Sequence, residues 1–185
     1  MIEDITEYDR EKMVLKELAY QDELTKAYNR RYVVRETQKL LDGGKDFTLC
    51  YIDIDNLKYV NDNFGHEEGD AYIKRIKNEI EACIRSTDIL GRIGGDEFVI
   101  LFPECSIQTV TEKMEIINDN IKMHLEKKLY PDGFSYGIAT SDEKDLSTVE
   151  ELLNAADKRM YASKFERHKR SHAQKLTGCP KDTPL

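Results

Sequence analysis

Two short carboxylate groups carry most of the chemical potential of this sequence. Asp53 and Asp55 close the apolar run Phe47-Thr48-Leu49-Cys50-Tyr51-Ile52, and Asp96-Glu97 follow the pair Gly94-Gly95. Carboxylates gathered at one place repel each other unless a cation intervenes. Oxygen-only ligands suit a hard divalent ion such as magnesium. Such an ion at a phosphate polarises it and activates a hydroxyl; a bound metal can lower the pKa of water from about 15.7 to about 7. Spacing alone leaves a second reading open, in which Asp53 and Asp55 merely end a strand and Asp96-Glu97 solvate a hairpin. Adjacent glycines fit both, because they allow close backbone approach to a ligand and also make ordinary turns.

The elements around these residues decide whether the two groups can meet. The run 47–52 reads as a central strand buried on both faces. A loop or short helix follows, then a helix over about 66–84 with Tyr72, Ile73, Ile76, Ile80, Cys83 and Ile84 at helical spacing. Residues 89–93 and 98–102 read as two strands around the glycine turn. A helix over about 106–127, a strand over 133–140 and a helix from 147 to about 167 complete the order. Ser147-Thr148-Val149-Glu150 reads as a capping box for that last helix. The predicted fold class is α/β (α+β): a ferredoxin-like or polymerase-palm βαββαβ core with added N-terminal helices. A right-handed crossover makes the first two strands parallel. Asp53 and the Gly94-Gly95 turn then lie at the same sheet edge.

Two helices precede the core. Residues 4–21 read as an N-terminal signalling or linker helix, although Lys12 interrupts its apolar stripe. A second begins near Asn29 and ends at Gly43-Gly44. The domain itself is placed at 22–168. The tail 169–185, with two prolines and little apolar content, is expected to be disordered.

A chain of 185 residues suits one domain. The net charge of −8 argues against a general nucleic-acid or anionic-membrane binder, but not against a nucleotide bound through metal ions. There is no apolar run long enough to span a membrane and no signal-peptide pattern at Met1-Ile2-Glu3-Asp4. Cys50, Cys83, Cys105 and Cys179 lack metal spacing and read as reduced, mostly buried thiols of a cytoplasmic protein.

Gly94-Gly95-Asp96-Glu97-Phe98, with Arg92 before it, resembles the signature of the GGDEF family of diguanylate cyclases. The surroundings extend the resemblance over about residues 20–168. Asp22-Glu23-Leu24-Thr25 with Asn29-Arg30-Arg31 resembles the family's leading motif. The stretch Asp53-Ile54-Asp55-Asn56-Leu57-Lys58, Asn61-Asp62, Phe64-Gly65-His66 and Gly69-Asp70 resembles its nucleotide-binding stretch. Ser135-Tyr136-Gly137-Ile138-Ala139, Ala156-Asp157, Tyr161 and Lys164 resemble the later blocks.

The resemblance implies an enzyme that condenses two GTP into cyclic di-GMP and two pyrophosphates, each 3′-hydroxyl attacking the α-phosphorus of the other GTP. One domain holds one GTP, so a homodimer is implied. Asp53, Asp96 and the Ile54 backbone carbonyl are implied to bind two Mg2+ per half-site, with Mn2+ able to substitute. Glu97 is implied as a further catalytic carboxylate. The amides of Asn56 and Leu57, with Lys58, Lys164 and His168, are implied for phosphate. Asn61 and Asp70 are implied for guanine, whose N1–H and 2-amino groups a carboxylate can accept from. Lys58 equally reads as a solvated lysine. Arg85-Ser86-Thr87-Asp88 occupies the position of the family's inhibitory site for cyclic di-GMP. Arginine can grip guanine or a phosphate there, although the same residues also read as a helix end and a strand start.

The sequence departs from the family in three places: Lys26-Ala27 for Gly-Leu, Leu57 for Phe, and Arg167-His168 for Gly-Arg. The last exchanges a fixed cation for a histidine that is neutral at ordinary pH. Asp22 and Asn29 read as helix caps, and Arg30 and Arg31 as structural ion-pair residues. An upstream sensory domain is expected in the full-length protein. The alternative from another class is a catalytically silent GGDEF domain that binds GTP or cyclic di-GMP and signals through a partner. An adenylyl-type cyclase or a polymerase palm would rest on fold analogy alone.

Overall fold

A computed structural model describes residues 19–124, 130 and 133–177. Its elements are β1 (Tyr28–Asn29), α1 (Arg30–Asp42), β2 (Phe47–Ile54), α2 (Leu57–Phe64), α3 (His66–Cys83), β3 (Ile89–Arg92), β4 (Glu97–Pro103), α4 (Ile107–His124), β5 (Phe134–Thr140) and α5 (Val149–Thr177). The sheet order is β1-β3-β4-β2-β5. β4 pairs antiparallel with both β2 and β3, so those two run the same way, as the crossover argument requires. β5 pairs antiparallel with β2. The expected βαββαβ core is therefore present. β1 is an addition, two residues long and parallel to β3 through Tyr28↔Gly91 and Asn29↔Arg92.

The pleat of β2 sends alternate residues to two cores, which is why the run is apolar throughout. Cys50, Ile52 and Ile54 pack with Phe98, Ile100 and Phe102 beneath α3 and α4. Leu49 and Tyr51 pack with Val99, Leu101 and Ala139 beneath α1 and α5. Each fully buried side chain of this kind contributes about 1.5–3 kcal/mol, against about 0–1 kcal/mol for an exposed ion pair. Apolar packing on both faces, rather than surface charge, therefore holds the sheet.

Local signals differ from expectation in four places. The α5 capping box is shifted by one residue: Glu151 Oε2 accepts from the Ser147 and Thr148 amides at 2.9 and 3.0 Å, and the Glu151 amide donates to Thr148 Oγ1 at 3.2 Å. α5 continues to Thr177, past its expected end near 167, so helix occupies the first part of the segment expected to be disordered. Asn29 caps α1 as predicted, accepting from the Tyr32 amide at 3.1 Å, whereas Asp22 caps no helix and serves the turn described below. Cys50 is buried, but Cys83 and Cys105 are only partly so. Most of the expected N-terminal helix, its residues 4–18, lies outside the described residues, as does Cys179. Among the described residues no helix is long and apolar enough to cross a membrane.

Candidate active site

β2 and β4 place Asp53 directly opposite Glu97. The next backbone amide, Ile54, donates to the Asp96 carbonyl at 2.9 Å, and Ile93 donates to the Glu97 carbonyl at 2.9 Å. The glycine turn is thus folded across the end of β2, and Asp53, Asp96 and Glu97 share one sheet edge.

Three carboxylates at this edge are met by partners from the chain itself. Lys164 Nζ donates to Asp53 Oδ1 at 2.5 Å. The Tyr51 hydroxyl donates to Glu97 Oε1 at 2.8 Å. The Ser135 hydroxyl donates to Asp55 Oδ1 at 2.8 Å. Among the described residues no group of three or more His, Cys, Asp or Glu side chains could hold a metal ion. Cross-strand like charges repel, and Asp53, Glu97 and Asp55 each take a partner of their own.

A smaller donor set remains, the carboxylates of Asp53 and Asp96 with the Ile54 carbonyl. Burial raises the pKa of Asp53; the Lys164 ammonium opposes that rise, and the Asp96 and Asp55 charges add to it. A desolvated carboxylate beside two others is the environment that a divalent cation relieves. The donors are all oxygen and fit a hard ion. They are fewer than the roughly six that magnesium takes, so water or substrate oxygens would supply the rest.

Lys164 reaches Asp53 because α5 lies unusually close to the sheet. A Cβ on Gly137 of β5 would stand 2.2 Å from both the Ala156 carbonyl oxygen and the Met160 nitrogen. Only glycine allows that approach, and α5 then carries Lys164 over the end of β2.

The turn glycines act sterically rather than conformationally. Neither Gly94 nor Gly95 has a positive φ. A Cβ on Gly94 would lie 2.0 Å from Glu97 Oε2, whereas one on Gly95 would meet nothing within 4 Å. Gly94 therefore makes room for Glu97, and Gly95 borders open space. Arg92 holds the turn, donating to the Gly95 carbonyl through Nη2 at 2.7 Å and to Asp22 Oδ1 through Nη1 at 3.1 Å. Burial would raise the Asp22 pKa, but hydrogen bonds from Thr25 and Arg92 hold it below the ordinary value.

The other candidates surround this edge. Asn56 adopts a left-handed conformation, φ +62°, which turns the chain from β2 into α2. It and Lys58 are exposed, while Leu57 packs partly against the core. The Asn61 side chain lies over Gly69, where a Cβ would be 1.9 Å from its Oδ1, and the exposed Asp70 follows directly. Asn61 and Asp70 are thereby brought to the same place from different helices. His168 lies on α5, but its side chain is outside the described residues.

Arg85 and Asp88 stand apart, at the start of β3 and so at the opposite sheet edge. Asp88 Oδ2 accepts from the Arg85 amide at 2.8 Å. They border a cavity of about 360 Å³ that Lys26, Tyr28 and Glu81 also line. A larger cavity, about 700 Å³ and lined by Lys45, Asp46, Glu104 and Cys105, contains none of the candidate residues.

Sequence reasoning missed Tyr51, Ser135 and the Arg92–Asp22 clamp as supports of the site. One signal for Tyr51 was available: a polar-tipped residue two positions before Asp53 lies on the same face of the strand.

The sequence profile of the family described as "Diguanylate cyclase, GGDEF domain" matches residues 19–170. The chain is 34% identical over 154 residues to the Probable diguanylate cyclase DgcJ of Escherichia coli (strain K12), covering 81% of this chain and 30% of that protein. It is 30% identical over 168 residues to Diguanylate cyclase DgcM of the same strain, covering 89% of this chain and 40% of that protein. The chain thus spans less than half the length of these curated relatives. Among solved structures, the coiled coil and GGDEF domain of DgcB from Caulobacter crescentus, in complex with c-di-GMP, superposes with a TM-score of 0.75. Its identity is 25%, and the match covers 86% of this chain and 90% of that one.

Proposed function

This chain belongs to the GGDEF domain family, and on that premise we propose that it is a diguanylate cyclase whose reaction takes place between two facing copies. The register that sets Asp53 opposite Glu97, with Asp96 bound through its backbone to Ile54, carries the reading. Asp53, Asp96 and the Ile54 carbonyl are the residues that would hold Mg2+ or Mn2+, which when bound neutralises phosphate charge and favours ionisation of a nearby hydroxyl.

The chain's own residues then divide the remaining work. The amides of Asn56 and Leu57, at the left-handed turn into α2, face the phosphates as helix-start donors do. Lys164 exchanges its Asp53 partner for the distal phosphates, with Lys58 and His168 as lesser contacts. Asp70 accepts from the guanine N1–H and 2-amino groups, and Asn61 contacts the same base through its amide. Glu97 takes the proton of the 3′-hydroxyl as that oxygen bonds to the α-phosphorus of the GTP on the facing copy. The bond from that phosphorus to the β-phosphate bridging oxygen breaks, and pyrophosphate leaves. The same step in the other direction closes the ring. Each copy supplies one GTP, so a homodimer is required.

Arg85 and Asp88, at the far edge and beside an open cavity, are proposed to bind cyclic di-GMP and slow turnover. GTP as substrate places the reaction in the cytoplasm, and an upstream sensory segment is proposed to set the arrangement of the two copies.

The test is incubation of purified protein with magnesium and GTP, followed by product identification. Cyclic di-GMP and pyrophosphate are expected, with specific activity rising with protein concentration. GTP binding without product would favour the silent signalling domain instead.

A further inference from the structure

We infer that Tyr51 is a positioning residue for the proposed reaction: its hydroxyl holds Glu97 in one rotamer, with the second carboxylate oxygen at the Gly94-Gly95 turn. The inference rests on the cyclase reading and on Glu97 as its proton acceptor.

The geometry has three parts. Asp53 and Glu97 are a directly opposed like-charge pair, which is unfavourable unless each finds other company. Lys164 takes Asp53. Tyr51, two residues before Asp53 on the same face, lies opposite Val99 and hence diagonal to Glu97, within reach of a long aromatic side chain. Its hydroxyl donates to Glu97 Oε1 at 2.8 Å. Glu97 Oε2 occupies the space that a Cβ on Gly94 would need, 2.0 Å from that position. The carboxylate is thus seated from both sides, one oxygen on the phenol and the other against the turn.

The phenol is well suited to this. Tyr51 is only 8% exposed, so its hydroxyl needs a partner inside the protein. An ionised Glu97 carboxylate can only accept, so the hydroxyl is the donor of the pair. Its ring belongs to the apolar cluster beneath α1 and α5, so the packing of that core fixes where the donor stands. A phenylalanine at position 51 would keep the ring in that cluster and leave Glu97 without the hydrogen bond. A carboxylate free to change rotamer spends less time within reach of a reacting hydroxyl, and small misplacements of this kind are costly.

Tyr51→Phe keeps the ring and removes the donor. With magnesium and saturating GTP, kcat is expected to fall about 10- to 100-fold, while the Kd of a GTP analogue lacking the 3′-hydroxyl stays within about twofold of the wild type, since Tyr51 touches no proposed nucleotide contact. A thermal-stability cycle of Tyr51→Phe, Glu97→Gln and the double variant is expected to be non-additive, because the two residues share one bond. An unchanged kcat overturns the inference and leaves the cyclase reading intact. So does an additive cycle, or a kcat loss matched by an equal loss of nucleotide affinity, which would make Tyr51 structural only. Wild-type protein that makes no cyclic di-GMP overturns the cyclase reading itself, and this role with it.

Discussion

The two ends of the sheet satisfy their polar groups in opposite ways. At the proposed catalytic edge, Asp53 draws on Lys164 at a separation of 111 residues and Glu97 on Tyr51 at 46. At the far edge, Arg85 and Asp88 are joined within one turn, three residues apart. The first arrangement exists only when two strands and a helix are packed together. The second needs little beyond its own backbone. Substitutions at the catalytic edge should therefore separate activity from stability, whereas those at the far edge should separate binding from both.

The largest effect is expected from Asp53→Asn. Turnover should fall by about 10³-fold or more, since a charge proposed to hold the metal is gone. Stability should not fall with it. The folded pKa of Asp53 is raised by burial, against the pull of Lys164. Its contribution to stability is then fully present below the unfolded value of about 3.9 and is lost as pH rises through the folded value. Asparagine avoids that loss, so the variant should gain on the wild type as pH climbs from about 4 and keep a constant lead above the folded pKa. Thermal melts across that range, read beside an activity assay, check both halves. A variant that melts lower at neutral pH would mean that the Lys164 pair outweighs the burial.

A smaller, sharper effect is expected from Gly94→Ala. The new Cβ collides with Glu97 Oε2, the far end of a flexible side chain, and Gly94 needs no left-handed backbone. The fold should yield easily, with a melting temperature within about 2 °C of the wild type, roughly what a few tenths of a kcal/mol produce. Glu97 should be driven from its seat, and kcat should fall about 10- to 100-fold. Normal turnover in this variant would show that the observed rotamer of Glu97 is not the working one.

The smallest stability effects belong to the far edge. Arg85 is exposed and its turn bond is made by backbone, so Arg85→Ala should change stability by no more than about 0.5 kcal/mol. Asp88→Ala removes the accepting carboxylate and should cost about 1 kcal/mol. Both should weaken cyclic di-GMP binding by calorimetry and relieve inhibition. If Arg85→Ala were as destabilising as Asp88→Ala, the turn would not be the local structure described above.

Some features were ambiguous in the sequence for physical reasons. Ser147-Thr148-Val149-Glu150-Glu151 offers a hydroxyl and a glutamate three apart in two registers, and only the position of the first helical amides selects Thr148 with Glu151. β1 is two residues long, too short to show any period. Asp22 resembles a cap because it is a short acceptor before a helical stretch; that it binds Arg92 depends on a strand 70 residues away.

Periodicity and signature residues by themselves determined the βαββαβ order, the family, and the single edge to which Asp53, Asp96 and Glu97 come. Those follow from alternation, helical spacing and crossover handedness, which are properties of consecutive residues. Which partner each carboxylate takes was decided only by the tertiary structure. Lys164 depends on how closely Gly137 lets α5 approach, and Tyr51 on the diagonal register of β2 and β4. Lys164 has no local signal, and Tyr51 has only the alternation that puts it on the strand face of Asp53, because a side-chain contact across packed elements is set by distances between backbones that are far apart in the chain.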